Sequence, residues 1–520
     1  MTIMHKSDVN GLQVGNPIKV ISLAACVEIA VQGKASGKTI AHCHGVFDVL
    51  HLGHIRHLNE AKSLADILIV TITPDAFVNK GPRRPLFTQE HRAEMLAALE
   101  CVDYVATNNW PDAIQTIELL CPDFYVKGPD YKYFAADITG KIDQEAKAIQ
   151  AVGGELKTTS GITFSSSNII NTYFEAWTIQ QQEYLRNIKK KYPLKAIQEK
   201  MDLTAAQNVL VLGEVIIDEY VFSDTMGKSG KEPMLVTKKL YSEKYAGGAL
   251  SIANTMSGLC KEVNILTYLG EKSTELDFIQ NRLRPNVDLN YILKSNSPTI
   301  QKTRFVDNYS GTKTLGVYDI NDELLSVKEE DEICKMLRTA IQNVDMVIVA
   351  DYGHGLITPK MVDILTDDAK FLAINTQINA SNIGYHTISK YPRADFICIH
   401  EGELRHDYRD RTESIEALTR KLSQKMSCQK IIISQGKHGS FALLDKDHLH
   451  CPAFADKIVD RIGAGDTLFA VAAAYMAAQL PADLILLLGN LAAAHMVAQL
   501  GTNATFDAPA LNKALISILK

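Results

Sequence analysis

The segment His44-Gly-Val-Phe-Asp-Val-Leu-His-Leu-Gly-His54, HGVFDVLHLGH, decides how the first half of this chain reads. The run TIAHCHGVF, ending at Phe47, has strand character, and IRHLNEAKSLA, after His54, has helical character. His51 and His54, three apart, fall on one side of the helix N-terminus, where backbone N–H groups and the helix dipole favour anions. Gly45 and Gly53 keep the turn open, and Gly53 lets backbone approach a ligand closely. Two imidazoles in that position can donate hydrogen bonds to a triphosphate and to charge developing at its α-phosphorus. The competing reading is a metal site of His42, His44, His51 and His54. Apart from Cys43, these lack carboxylate or thiolate partners at the usual spacing.

Working outward, residues 38–172 alternate strand-like and helical patterns. DILIVTITP, DYVAT and DFYVKG are strand-like, and QEHRAEMLAALECV is helical. Such alternation predicts a parallel sheet with crossover helices. Residues 1–37 are expected as an N-terminal extension. Residues 173–205 are polar and helix-prone, and they predict a helical linker with a basic run, Lys189-Lys-Lys191. From 206 to 520 a second α/β series follows, with strand candidates NVLVLGEVIIDEY, VNILTYLG, VDMVIVADYG, KFLAINTQ, DFICIH and KIIISQG. Between Ser223 and Leu240, and from Thr299 to Val327, alternation without long helices predicts β-hairpins or a lid.

Three further motifs follow HGVFDVLHLGH in order. Arg92 lies in TQEHRAEML, Lys127-Gly-Pro-Asp-Tyr131 follows a strand, and Phe164-Ser-Ser-Ser-Asn-Ile-Ile170 closes the domain. Together they resemble the HIGH-motif cytidylyltransferase superfamily. The resemblance runs over about residues 18–172 and is closest to the nucleotidyltransferase half of bacterial bifunctional ADP-heptose synthases. It implies His51, His54 and Lys127 as catalytic residues. It also implies Gly45, Phe47, Gly53, Lys80, Arg92, Gly128, Asp130, Ser165, Ser166 and Ser167 as nucleotide or phosphate contacts. Serine hydroxyls and N–H groups at a helix start suit that role. The implied reaction is direct displacement at the α-phosphorus of ATP or CTP, carried on Mg2+, with pyrophosphate leaving.

The second half turns on Asp460-Arg-Ile-Gly-Ala-Gly-Asp466. Gly463, Ala464 and Gly465 expose N–H groups at the start of an apolar helix, an anion hole for a transferring phosphoryl group. Asp466 is placed to accept a proton from a sugar hydroxyl. Gly213-Glu-Val-Ile-Ile-Asp218, Ala246-Gly-Gly-Ala249 and Asp351-Tyr-Gly-His-Gly355 precede it, and Leu500-Gly-Thr502 follows. In this order the motifs resemble the ribokinase-like, or PfkB-type, carbohydrate kinases over residues 206–520. The resemblance implies an ATP-dependent kinase with Asp466 as base and Asp218, Gly247, Gly248 and Ser251 in the sugar pocket. It places Ser434, Gly436 and Gly439 beside ATP, and Glu403 in indirect contact with magnesium.

The pattern departs from the family at Ser251, His400 and Arg461, and at Asn375-Thr-Gln377, where heptose kinases carry D-P-K. Losing a lysine there hints at a different or unphosphorylated sugar. The expected fold is therefore α/β with two domains, a Rossmann-like nucleotidyltransferase and a ribokinase-like α/β/α sandwich with a β-lid. The halves resemble those of ADP-heptose synthase in swapped order. The expected product is an ADP- or CDP-activated, heptose-like sugar for surface polysaccharide. In the alternative, the kinase half is a degenerate sugar-binding or dimerisation module.

Composition bounds the partners. The 520 residues carry a formal net charge of −6, with 46% hydrophobic and 22% charged residues. These values suit sizeable buried cores and argue against a broad nucleic-acid or anionic-membrane surface. The expected partners are a sugar, a sugar phosphate and nucleotides, with a homodimer possible through the lid. Nine scattered cysteines without a C-x-x-C pair fit reduced thiols in the cytoplasm. The apolar stretch Thr467–Leu500 is broken by Pro481, Asp483, Asn490 and His495, which predicts buried helices rather than a span.

Overall fold

The computed structural model describes residues 19–78, 84–128, 141–160, 177–445, 447–501 and 506–519. The chain divides into two compact units, residues 1–176 and 177–519.

The first unit is a five-stranded parallel sheet: β1 (Ile40–Gly45), β2 (Ile67–Ile72), β3 (Tyr104–Thr107), β4 (Phe124–Lys127) and β5 (Glu155–Thr158), in the order β3-β2-β1-β4-β5. Strand β2 (ILIVTI) reads as a continuous apolar run because both faces of the sheet are covered there, whereas the edge strand β5 (ELKT) is polar and partly exposed. Ala41, Cys43, Leu68, Val70 and Ile72 pack against Leu58 and Ala61 of helix Leu52–Ser63 and against Ala93 and Leu96 of helix Gln89–Ala97. On the opposite face, Ile40, Ile69 and Ala106 meet Leu23, Cys26 and Ala30. Those three residues belong to helix Leu23–Ala35, whose first turn is capped by Ser22. The expected N-terminal extension is therefore part of the sheet domain from residue 19, and Lys19 O accepts from Val105 N at 2.8 Å. Only two charged residues, Glu28 and Lys34, lie in this helix. Its buried residues Leu23, Cys26, Ala30 and Gly33 line one face against the sheet, while Val31 on another face is exposed.

The second unit holds two sheets. The strands are β6 (Asn208–Gly213), β7 (Val215–Lys228), β8 (Leu235–Gly248), β9 (Glu262–Gly270), β10 (Val287–Lys294), β11 (Ile300–Asp307), β12 (Lys313–Asp319), β13 (Met346–Asp351), β14 (Leu372–Thr376), β15 (Phe396–His400), β16 (Lys430–Ser434), β17 (Ser440–Leu444) and β18 (Asp447–Cys451). Nine form one sheet, β10-β9-β6-β13-β14-β15-β16-β17-β18, parallel up to β16 and antiparallel beyond it. The remaining four form the lid, β12-β11-β7-β8. NVLVLGEVIIDEY reads as one strand but splits at Glu214, which sends β6 into the large sheet and β7 into the lid. Glu214 is fully buried and accepts the N–H groups of Tyr352 and His354, both at 3.0 Å.

The helical linker expected over 173–205 is, where described, docked on this second unit. Helix Ile179–Lys191 is anchored by Gln181 Nε2 donating to Ala453 O (2.6 Å) and Tyr184 OH donating to Asp483 O (2.8 Å), and helix Leu194–Met201 by Gln198 Nε2 donating to Asn512 Oδ1 (2.8 Å). Within the basic run, Lys191 pairs with Asp483 at 2.8 Å. The apolar C-terminal stretch forms helices Ala464–Ala477 and Ala482–Val497, both largely buried. No helix among the described residues is long and apolar enough to cross a membrane.

Candidate functional site

In the first unit, β1 hydrogen-bonds to β2 on one side and β4 on the other, so the chain reverses its winding direction there. Ligands of open α/β sheets bind outside the strand C-termini at such a switch point. HGVFDVLHLGH occupies that place. Phe47 and Val49 both take φ of 51°, a conformation that costs non-glycine residues energy and persists where surroundings enforce it. Asp48 supplies part of that enforcement, its carboxylate accepting from Leu86 N (2.9 Å) and Phe87 N (3.1 Å).

His51 is the N-cap of helix Leu52–Ser63. Its Nδ1 accepts from Gly53 N at 3.1 Å and His54 N at 3.4 Å. An accepting Nδ1 leaves the proton of the neutral ring on Nε2, a buried atom, so the ring's donor is Nε2–H. The His51 and His54 rings stack with centroids 3.9 Å apart, and Phe47 meets His54 edge-on at 5.4 Å. A Cβ on Gly45 would stand 3.2 Å from the Phe47 ring, so Gly45 makes room for the aromatic.

Lys127 ends β4, across the switch point from the histidines. It is buried and pairs with Glu145 at 2.8 Å, a partner that sequence reasoning missed. A Cβ on Gly128 would meet nothing within 4 Å, so that position is open. Arg92 departs from its expected phosphate role. It is fully buried and donates to Phe87 O, Val46 O, Thr73 O and Asp75 Oδ1. It pins the loops beneath the histidines. Lys80, Asp130, Ser165, Ser166 and Ser167 lie outside the described residues.

In the second unit, Gly463 caps helix Ala464–Ala477 with φ of 81° and no side-chain cap, so the first-turn N–H groups stay available to a ligand. A Cβ on Gly465 would meet nothing within 4 Å. Asp466 lies in that turn, and burial raises its carboxyl to about 7. Gln377 Nε2 donates to its Oδ1 at 2.6 Å. Asp218, Lys302 and Tyr352 flank it closely enough to act on its charge.

Asp218 is buried and ion-paired to Arg304. Lys302 and Arg304, two apart on β11, share one lid face with Asp218, which pairs in register with Lys302. Both cations were missed, although their period-2 spacing in a predicted lid strand could have shown them. Ser251 is buried in the helix Ala249–Ser257 that starts at Gly248, whose φ is 57°.

Glu403 is occupied as a cap. Its Oε2 accepts from His400 N (2.7 Å) and its Oε1 from Ile378 N (3.2 Å), and burial raises its carboxyl to about 7. His400 caps the same helix by accepting from Gly402 N (3.0 Å). Ser434 ends β16, and Gly436 follows with φ of 56°. At Gly439 a Cβ would stand 2.0 Å from Cys451 O, so that glycine serves packing against β18.

A parallel sheet carrying H-x-G-H at its switch point, then a lidded sandwich with G-A-G-D at a helix start, defines a nucleotidyltransferase-like domain followed by a carbohydrate-kinase-like one. Comparisons with known proteins agree. The family model "pfkB family carbohydrate kinase" matches residues 206–509, and "Cytidylyltransferase-like" matches 42–172. The chain belongs to the pfkB family of carbohydrate kinases, with a cytidylyltransferase-like domain ahead of the kinase-like one. It is similar to the bifunctional protein HldE of Geobacter sulfurreducens, 35% identical over 31% of this chain and 32% of that one. It also resembles HldE of Campylobacter jejuni, at 26% over 58% of this chain and 63% of that one. The chain thus spans less than two thirds of these relatives. Phosphofructokinase-2 from Escherichia coli, solved with substrates and products, shares the fold at 12% identity and TM-score 0.50, covering 61% of this chain and all of that one.

Proposed function

We propose that this chain is a bifunctional enzyme that phosphorylates a sugar at its anomeric hydroxyl and then joins the sugar 1-phosphate to a nucleotide. The observation that carries the reading is Asp466, a buried carboxyl with a raised proton affinity, at an uncapped helix N-terminus beside Asp218. Asp466 takes the hydroxyl proton, the sugar oxygen attacks the γ-phosphorus of ATP, and ADP leaves. The first-turn N–H groups balance the charge that develops. In the first unit, an oxygen of the sugar 1-phosphate attacks the α-phosphorus of ATP or CTP, and pyrophosphate leaves. The His51 Nε2–H donor and Lys127 neutralise charge there.

Among the described residues no group of three or more His, Cys, Asp or Glu side chains is placed to hold an ion. Mg2+ carried on the nucleotide phosphates would neutralise their charge.

The missing lysine of the D-P-K turn bears on the base rather than on a distant substrate phosphate, because Gln377 faces Asp466. Lys302 and Arg304 instead bring two cations to the pocket at Asp218, which supports an anionic sugar such as a heptose phosphate. The lid edge strand β12 exposes Leu315 and Val317, which supports a homodimer formed through the lid.

The test is a panel of neutral and phosphorylated sugars given to the purified chain with ATP and Mg2+. ADP release is expected, strongest with a phosphorylated sugar. Asp466→Asn should lose that step while keeping pyrophosphate release from a supplied sugar 1-phosphate. Sugar binding without ADP release would favour the binding-module reading. Loss of both activities in a folded Asp466→Asn variant would sink the two-site reading.

A further inference from the structure

Asp466 is steadied by a group outside the helix that carries it. Gln377, one residue past β14, donates Nε2–H to Asp466 Oδ1 at 2.6 Å. The backbone around Gln377 is itself fixed on three sides. Its N–H donates to Asp351 O (2.9 Å), its carbonyl accepts from Asn382 Nδ2 (3.0 Å), and the next N–H, that of Ile378, donates to Glu403 Oε1 (3.2 Å). A general base works only if a lone pair meets the proton it removes, and a hydrogen bond to one carboxylate oxygen restricts how far the other can swing.

We propose that Gln377 is a positioning residue for phosphoryl transfer, pinning one oxygen of Asp466 so that the other is aimed at the sugar hydroxyl. The proposal rests on the kinase reading of the second unit. It gives a physical meaning to an amide at this position. A neutral donor orients the carboxylate, whereas a lysine would orient it and also stabilise its ionised form, weakening it as a base. The charged and titratable groups facing Asp466 are Asp218 from β7, Lys302 from β11, Tyr352 after β13, Cys398 from β15 and Glu403 from helix Glu401–Tyr408. Tyr352 acts on the carboxylate as a neutral hydroxyl, and Gln377 adds a neutral amide donor that reaches Oδ1 at 2.6 Å.

The experiment uses the full chain and follows ADP release across pH for wild type, Gln377→Met, Gln377→Lys and Asp466→Asn. Gln377→Met keeps the length without the donor and should lower kcat about tenfold or more, with KM for ATP and sugar within about twofold. Gln377→Lys should recover much of kcat and move the acid limb of the kcat profile down by about one pH unit. Wild-type kcat in Gln377→Met, a loss confined to KM, or an unmoved acid limb in Gln377→Lys would overturn the proposal. ADP release by Asp466→Asn at the wild-type rate would instead remove the kinase reading itself.

A second measurement needs no turnover. The stability gained by Gln377→Lys over Gln377→Met should grow as pH rises through about 7 and vanish in the Asp466→Asn background. A gain that persists in that background shows that residue 377 does not act on Asp466.

Discussion

Asp218 Oδ2 sits 2.2 Å from where a Cβ on Gly247 would stand. The two residues lie on adjacent antiparallel strands, β7 and β8, with Gly247 paired to Ile216 and Asp218 to Tyr245. The carboxylate therefore fills space that only glycine leaves, and Gly247 is a packing requirement of Asp218. Arg304 holds the same carboxylate from β11, so three strands of the lid fix one side chain.

Gly247→Ala should push Asp218 out of place. Overpacking of this kind costs about 1–3 kcal/mol. Sugar-dependent ADP release should fall at least tenfold in kcat/KM, while pyrophosphate release in the first unit stays unchanged. A variant with normal sugar kinetics would show that Asp218 does not contact the sugar.

Arg92→Met tests the reassignment of a motif residue from phosphate contact to loop pin. The guanidinium is fully buried and reaches three carbonyl oxygens and Asp75. Removing it strands those acceptors, and the first unit should lose about 3 kcal/mol, read by denaturant unfolding of the full chain. An unchanged unfolding midpoint with a raised KM for the triphosphate would restore the phosphate role.

His51 serves two ends with two nitrogens, and two substitutions separate them. In His51→Asn the side-chain oxygen would still cap the helix, but the Nε2–H donor would be gone. His51→Ala loses both, and the cap is worth about 1 kcal/mol. Both His51→Asn and His51→Ala should abolish pyrophosphate release, and only the alanine variant should be measurably less stable. Activity surviving in His51→Asn would mean that the cap is the residue's whole role.

Much of this architecture was legible because the motifs lie at element ends. H-G-V-F lies at the end of the strand that stops at Gly45, and G-A-G-D opens the apolar helix Ala464–Ala477. What the sequence hid has a common physical cause. Arg92 and Glu145 are charged residues buried in contacts with partners distant along the chain, and no local pattern records such contacts. Helix Leu23–Ala35 is covered on a face that periodicity did not announce. The split at Glu214 was hidden because one continuous apolar run serves two sheets. Gln377 looked like the loss of a cation, and only its 2.6 Å contact with Asp466 shows what the amide does.

Asp466→Asn should also separate stability from activity. Burial raises the Asp466 carboxyl from 3.8 to about 7, so between those values the folded chain holds a proton that the unfolded chain has released. Stability then falls as pH rises through that window and levels off above it. The same sign applies to Glu214 and Glu403, both also raised to about 7 by burial, so the second unit should lose stability as a neutral medium is approached from the acid side. Asparagine keeps an oxygen that can accept from Gln377 and has no proton to release. Asp466→Asn should thus match wild type near pH 4, become progressively more stable relative to it up to about pH 7, and keep that advantage at pH 8, while its ADP release is lost. The measurement is the thermal midpoint of the second unit against pH for both proteins. Parallel curves would mean that the carboxyl is not strained by its burial, and the raised proton affinity that suits it to act as base would go with it.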